Sequence, residues 1–322
     1  MDSFLFSLNA TLPVFLVILL GFFLKRINIL NDAFCKAANQ YVFSCALPVS
    51  LFMSIAEMDF SNDFDPVFCL FCMLTSTVMF FGTWGISWLL LKDKGQVGAF
   101  AQACARSSAA VLGVAFATTI YGDSGMVPMM VMASVPLFNI YTVVILSFSP
   151  HTDAANHWLL KADRRDALKT ACVNIAKNPM ILGILLGVPF SMLQLPIPTI
   201  LENTLSNVGS TATPIALLVV GATFSGKEAM TRWKTALCAS FVKLLLLPAI
   251  TLPVAALLGF RGSEMVAILL MVGSPTTVAS FVMAKNMHAD SVLTSNAIVL
   301  STVLSSVSIT LWLYLLRCYT LI

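Results

Sequence analysis

Two cations sit where a helix in hydrocarbon should carry none. Arg106 lies inside an apolar run over 97–121 and Lys243 inside another over 235–258, each about 8–10 residues, or roughly 12–15 Å, from the nearer end. No Asp or Glu lies comparably deep in any apolar run of the chain. An uncompensated charge at such depth costs on the order of several kcal/mol, so it must face a cavity, a cluster of backbone carbonyls or a ligand of opposite sign. The alternative is that the long side chains reach back to the headgroups. If the partner is a ligand, it is an anion, with Arg106 reading its charge and Lys243 as an accessory charge.

Small polar residues surround these positions. Arg106 is followed by Ser107, Ser108, Ala109, Ala110 and Gly113, and a second apolar run, 264–284, contains Gly273-Ser274-Pro275-Thr276-Thr277-Val278-Ala279-Ser280. Both stretches are weak helices. Proline removes one backbone hydrogen bond and glycine loosens the preceding turn, so freed carbonyls and amides can line a polar space between helices. A helix broken there directs the partial positive charge of a half-helix N-terminus inward, which suits a carboxylate. The candidate binding residues are therefore Arg106, Ser107, Ser108 and Gly113 from one stretch and Pro275, Thr276, Thr277 and Ser280 from the other. The plainer reading is close packing of small residues around a proline kink.

The elements that must position these residues are membrane spans. Hydrophobic residues make up 58% of the chain and charged residues 10%, and the mean hydropathy is +0.91, as expected of an integral membrane protein. Ten apolar runs are long enough to cross a bilayer, at 4–24, 34–55, 66–91, 97–121, 126–149, 179–195, 200–222, 235–258, 264–284 and 291–316. Pro13–Gly21 returns as Pro179–Gly187 and Val42–Leu51 as Val208–Leu217, both displaced by 166 positions. The chain thus divides into a first five-helix repeat at 1–149, a linker at 150–178 and a second repeat at 179–322. Of the 18 basic residues, 14 lie in or beside the loops that follow odd-numbered spans, which places those loops in the cytoplasm and both termini outside, in a plasma or inner membrane. With five spans per half, the second repeat starts from the opposite face, so the repeats are inverted. In the linker, Leu168, Ala171, Cys172 and Ile175 recur at helical spacing and could lie along the interface.

Several function classes are excluded. Basic residues do not interleave with aromatics, which argues against nucleic acid. The eight Cys and three His form no ligand-like cluster, so neither a metal nor another cofactor is expected. Cys69 and Cys72 sit in an apolar run as ordinary membrane cysteines. No Ser/His pair, HExxH or paired intramembrane aspartates occur at workable positions, so an enzyme is not expected.

ALPVSLF in the second span, RSS and later YGDSG in the fourth, NPMILGILLG opening the second half and SPTTVASFVMAK in the ninth together resemble the auxin efflux carrier family. That family includes the plant PIN proteins and bacterial malonate permeases, of which the bacterial branch is the more similar. The resemblance implies an all-α fold of ten helices in two inverted repeats, with broken helices 4 and 9 crossing, as in sodium/proton antiporters. It further implies a scaffold of helices 1, 2, 6 and 7, a mobile unit of helices 3–5 and 8–10, elevator-like transport of a small organic anion, and a homodimer. Ser108 stands where the family usually has Asn, Ala115 where it has Pro, and Ser280 where plant members have a second Pro. Two other readings share these features: a sodium-coupled carrier of bile-acid type, which would need deep oxygen ligands, and a membrane sensor that binds a lipid or metabolite without moving it.

Overall fold

A computed structural model describes residues 2–57, 65–109, 125–149, 173, 177–223 and 226–322. Gly113, Ala115, the YGDSG start at Tyr121–Ser124 and the amphipathic linker residues 168–172 and 175 lie outside the described residues. Among the described residues the chain is all-helical, apart from one isolated β-bridge. The helices are α1 (Asp2–Arg26), α2 (Asp32–Tyr41), α3 (Leu47–Ala56), α4 (Pro66–Leu90), α5 (Val97–Ala105), α6 (Val127–Phe148) and α7 (Pro179–Met192). They continue with α8 (Thr199–Ser210), α9 (Ala212–Thr223), α10 (Gly226–Phe241), α11 (Leu247–Leu257), α12 (Ser263–Gly273), α13 (Ala279–Asn286) and α14 (Ser291–Cys318). Among the described residues six rods are long and apolar enough to cross a membrane: Asp32–Ala56, Pro66–Leu90, Val127–Phe148, Thr199–Thr223, Met230–Leu257 and Ser291–Cys318.

Local sequence explains the starts and the irregular turns. Asp65 and Asn178 cap α4 and α7, accepting hydrogen bonds from Val67 and Phe68 and from Met180, while Pro66 and Pro179 occupy first-turn positions where no N–H is needed. Two π-helical turns, Val42–Ala46 and Val242–Leu246, each precede a Leu-Pro pair, Leu47-Pro48 and Leu247-Pro248. A proline ring cannot donate to the carbonyl four residues earlier and crowds it, and the wider turn relieves that conflict without ending the rod.

Helix pairings follow an exchange pattern. The rod α1 packs along α9 and α3 packs along α7, whereas α4 packs on α6 and α10 on α14. Glycines permit the closest approaches: a Cβ on Gly21 or Gly221 would overlap the carbonyl of Leu218 or Ile18, and one on Gly183 would overlap that of Pro48. One hydrophobic core runs through α4, α6, α12 and α14. A second joins α1, α2 and α9 to α13, and a third lies where α3 and α7 meet α6 and α13. Between these cores the regular helices stop at α5 and α12, and the polar residues collect there.

Candidate functional site

Helix α5 ends at Ala105, and Arg106 turns to extended backbone (φ −78°, ψ 122°) while its N–H still donates to the Gln102 carbonyl at 2.9 Å. Helix α12 ends at Gly273 and Ser274 likewise becomes extended (φ −69°, ψ 155°). The two extended pieces meet as an antiparallel bridge between Ser107 and Thr276, and the Ser108 N–H donates to the Pro275 carbonyl at 2.9 Å. Each break thus supplies partners for the other, which a buried, unwound backbone requires.

Side chains meet four more carbonyls at these helix ends, those of Ala103, Ala105, Leu270 and Met271. Thr276 donates its hydroxyl to the Ala103 carbonyl at 2.8 Å, and the Lys243 ammonium donates to the Ala105 carbonyl at 3.0 Å and to the Ser107 hydroxyl. Ser107 in turn donates to the Met271 carbonyl of α12, and Ser274 bonds back to Leu270. The Thr276 N–H donates to the Ser301 hydroxyl on α14 at 3.0 Å. Lys243 is fully buried and stands on the π-turn before Pro248. Its charge lies at the negative end of α5, where a cation is favoured. Of the partners open to Lys243 from sequence, the structure supplies a backbone carbonyl, together with a hydroxyl.

Arg106 is 4% exposed. Its guanidinium meets the Asn139 side-chain oxygen on α6 and the Met283 sulfur on α13. Neither partner is charged. Among the described residues ion pairs join Lys25 to Asp32 and Arg232 to Asp93 and Asp290, so Arg106 and Lys243 are buried cations without a carboxylate. The hydroxyls of Ser107 and Thr276 are committed to holding the crossing, while Ser108 and Thr277 are half-buried beside it. The Ser280 hydroxyl is fully buried and has no hydrogen-bond partner, although its backbone carbonyl accepts from Gln102 at 3.2 Å. The structure therefore brings together Arg106, Ser107, Ser108, Pro275, Thr276, Thr277, Ser280 and Lys243 at one crossing, with Gly113 outside the described residues.

Four contributors escape sequence reasoning: Asn139, Met283, Gln102 and Ser301. Asn139 had a usable signal, since it is the single amide in helix α6, whose other polar residues all carry hydroxyls. Ser301 had none, because α14 carries many Ser and Thr from Ser291 to Thr310. No group of His, Cys, Asp and Glu among the described residues could hold a metal ion.

The chain is similar in fold and in sequence to known proteins. The fold matches that of the sodium proton antiporter MjNhaP1 from Methanocaldococcus jannaschii with a TM-score of 0.56 over 91% of this chain and 92% of that one, at 14% identity. A mouse lysosomal cholesterol signaling protein is 22% identical over 227 residues, 68% of this chain and 26% of that much longer protein. An uncharacterized transporter of Methanothermobacter thermautotrophicus is 26% identical over 312 residues, covering 96% of this chain and 98% of the relative. Residues 6–313 match the membrane transport protein family, and the chain belongs to that family, the auxin efflux carriers whose motifs it shares.

Proposed function

We propose that this transporter carries a small organic anion, a mono- or dicarboxylate, past the crossing of the two broken helices by an elevator-like exchange of access. The observation that carries this reading is the pair of buried cations with no carboxylate to meet them. A buried charge is tolerated when hydrogen bonds and an opposite charge surround it. Neutral partners hold Arg106 between transport events, and the substrate carboxylate replaces them in bidentate fashion, the geometry to which a guanidinium is suited. Ser280 offers an unpaired hydroxyl, and Ser108 and Thr277 stand half-buried beside the crossing. Lys243 acts through the backbone, tying the α5 end to the crossing.

The α1/α9 and α3/α7 pairs form the scaffold in this reading, and α4–α6 with α10–α14 form the mobile unit. Its support is the exchange pattern of pairings, which is what two repeats over 1–149 and 179–322 related by a two-fold axis in the membrane plane would produce. All ten apolar runs then cross an inner or plasma membrane, and two copies associate through their scaffolds. The absence of an acidic residue near the crossing, among the described residues, favours movement without a protonated carboxylate in the protein itself.

Counterflow in proteoliposomes tests this function: labelled malonate outside at trace level, excess unlabelled malonate inside. Accumulation by the wild type and at least a 100-fold loss in Arg106→Ala, with the thermal unfolding midpoint retained, is the expected result. Equal counterflow by both proteins removes Arg106 from the mechanism. The cholesterol signaling relative favours a second reading, a sensor on the same fold. A ligand that raises the unfolding midpoint while a full carboxylate panel shows no counterflow would select it.

A further inference from the structure

A second polar space lies apart from the crossing. A cleft of about 400 Å³ opens between α2, α9 and α13, with Lys36 and Asn39 on α2, Val219 and Thr223 on α9, and Phe281 and Lys285 on α13. On α2 these residues recur at helical spacing, so one face of that helix forms one wall. Asp32 also borders the cleft, but its carboxylate is engaged by Lys25. Lys36 and Lys285 have no carboxylate partner among the described residues, so two cations from different walls face the same space without neutralisation. Asn39 is 7% exposed on the inner wall and its side-chain oxygen has no hydrogen-bond partner. Buried amides without partners are uncommon, and such a group is able to turn and meet a ligand.

We propose that this cleft is a second anion site, which binds a soluble dicarboxylate with one carboxylate on Lys36 and the other on Lys285, and Asn39 bonding between them. A monocarboxylate could neutralise only one wall. Because α2 and α9 belong to the scaffold and α13 to the mobile unit, a bridging dianion ties the two together and restrains their relative movement. That regulatory consequence rests on the elevator reading above, whereas the binding site itself does not.

The site is tested with the purified protein carrying Arg106→Gln, which removes the charge assigned to the transported anion at a residue that does not line the cleft. Succinate is the probe and acetate the control, with binding read by calorimetry in neutral detergent. Saturable succinate binding that weakens at least tenfold in both Lys36→Gln and Lys285→Gln, with no acetate binding, is the expected result, and Asn39→Leu should weaken it less. Succinate binding unchanged by both lysine variants overturns the proposal. So does binding lost with Arg106→Gln alone, which would assign it to the crossing. Should phosphatidylglycerol abolish succinate binding at equimolar amounts and itself bind in a lysine-dependent way, the occupant is a lipid headgroup and the soluble-anion assignment falls. In reconstituted Lys36→Gln protein with Arg106 intact, succinate inside the vesicle should no longer slow malonate exit. Slowing equal to that of wild type would contradict the restraint.

Discussion

The α1/α9 and α3/α7 seams and the α5/α12 crossing are both close contacts between helices, held by opposite means. At the seams glycine lets one backbone rest against the carbonyls of another, with little polar chemistry between them. At the crossing the backbones themselves are unwound, and several of the freed groups are met by named donors or acceptors from elsewhere in the chain. A glycine seam tolerates no added atom but stores no polar group that a ligand could use. The crossing keeps charge and hydrogen-bonding capacity in a dry place, at the expense of depending on distant residues such as Lys243 and Ser301. Close backbone packing and buried polar groups thereby fall on different helices.

The seam should break most severely. Gly221→Ala puts a methyl group into the Ile18 carbonyl, and two backbones must separate; a loss of at least about 3 kcal/mol, seen as a collapse of the unfolding midpoint in detergent, is expected. Gly82→Ala is the control, because nothing lies within 4 Å of the added carbon, and its midpoint should stay level or rise. Ser301→Ala should act at the crossing, leaving the Thr276 N–H without its acceptor for about 1–3 kcal/mol and slowing counterflow as well. A seam-like outcome, stability lost with transport per folded molecule unchanged, would show that the second break is only structural.

The smallest effect lies at the loop before α5. A hydrogen bond from Gln96 holds the Asp93 carboxyl below its usual range, with help from the Gly95 N–H and Arg232. The depressed value means that this stabilisation is present above the ordinary carboxylate range and lost as pH falls through the lowered one. The difference in midpoint between wild type and Asp93→Asn should therefore be level from neutral pH down to about pH 5 and shrink below about pH 4. A difference that grows on acidification would have the wrong sign.

Much of this architecture is legible in the chain because membrane helices must be long, apolar and internally bonded. The depth of Arg106 and Lys243 and the Gly273-to-Pro275 break can be read directly. The first break is expected only from the small polar residues after Arg106 and from the family resemblance, since no proline stands near Arg106. It exists because the Pro275 carbonyl and Thr276 wait across the crossing, 167 positions or more away in sequence. Ser107 and Thr276 look like substrate donors in sequence, but their hydroxyls face carbonyls of the opposite helix. Hydroxyl type and spacing are the same for either use, so only packing separates them. The repeated glycines were visible at Gly21 and Gly187, yet the carbonyls they rest against belong to helices whose pairing no local pattern specifies.

The claim that the seams stay fixed while the crossing moves is open to a distance measurement by pulsed electron paramagnetic resonance. In a background without the native cysteines, one spin label goes on α4 at Gly82→Cys, where nothing lies within 4 Å, and the other on α7 at Leu186→Cys, which is 63% exposed. A second pair, Gly82→Cys with Val303→Cys on α14, stays within the mobile unit. In proteoliposomes active in counterflow, the α4/α7 pair should show two distances whose populations shift with malonate, and the α4/α14 pair one distance that does not. A single, unchanging distance for both pairs would contradict elevator movement of the crossing against these seams.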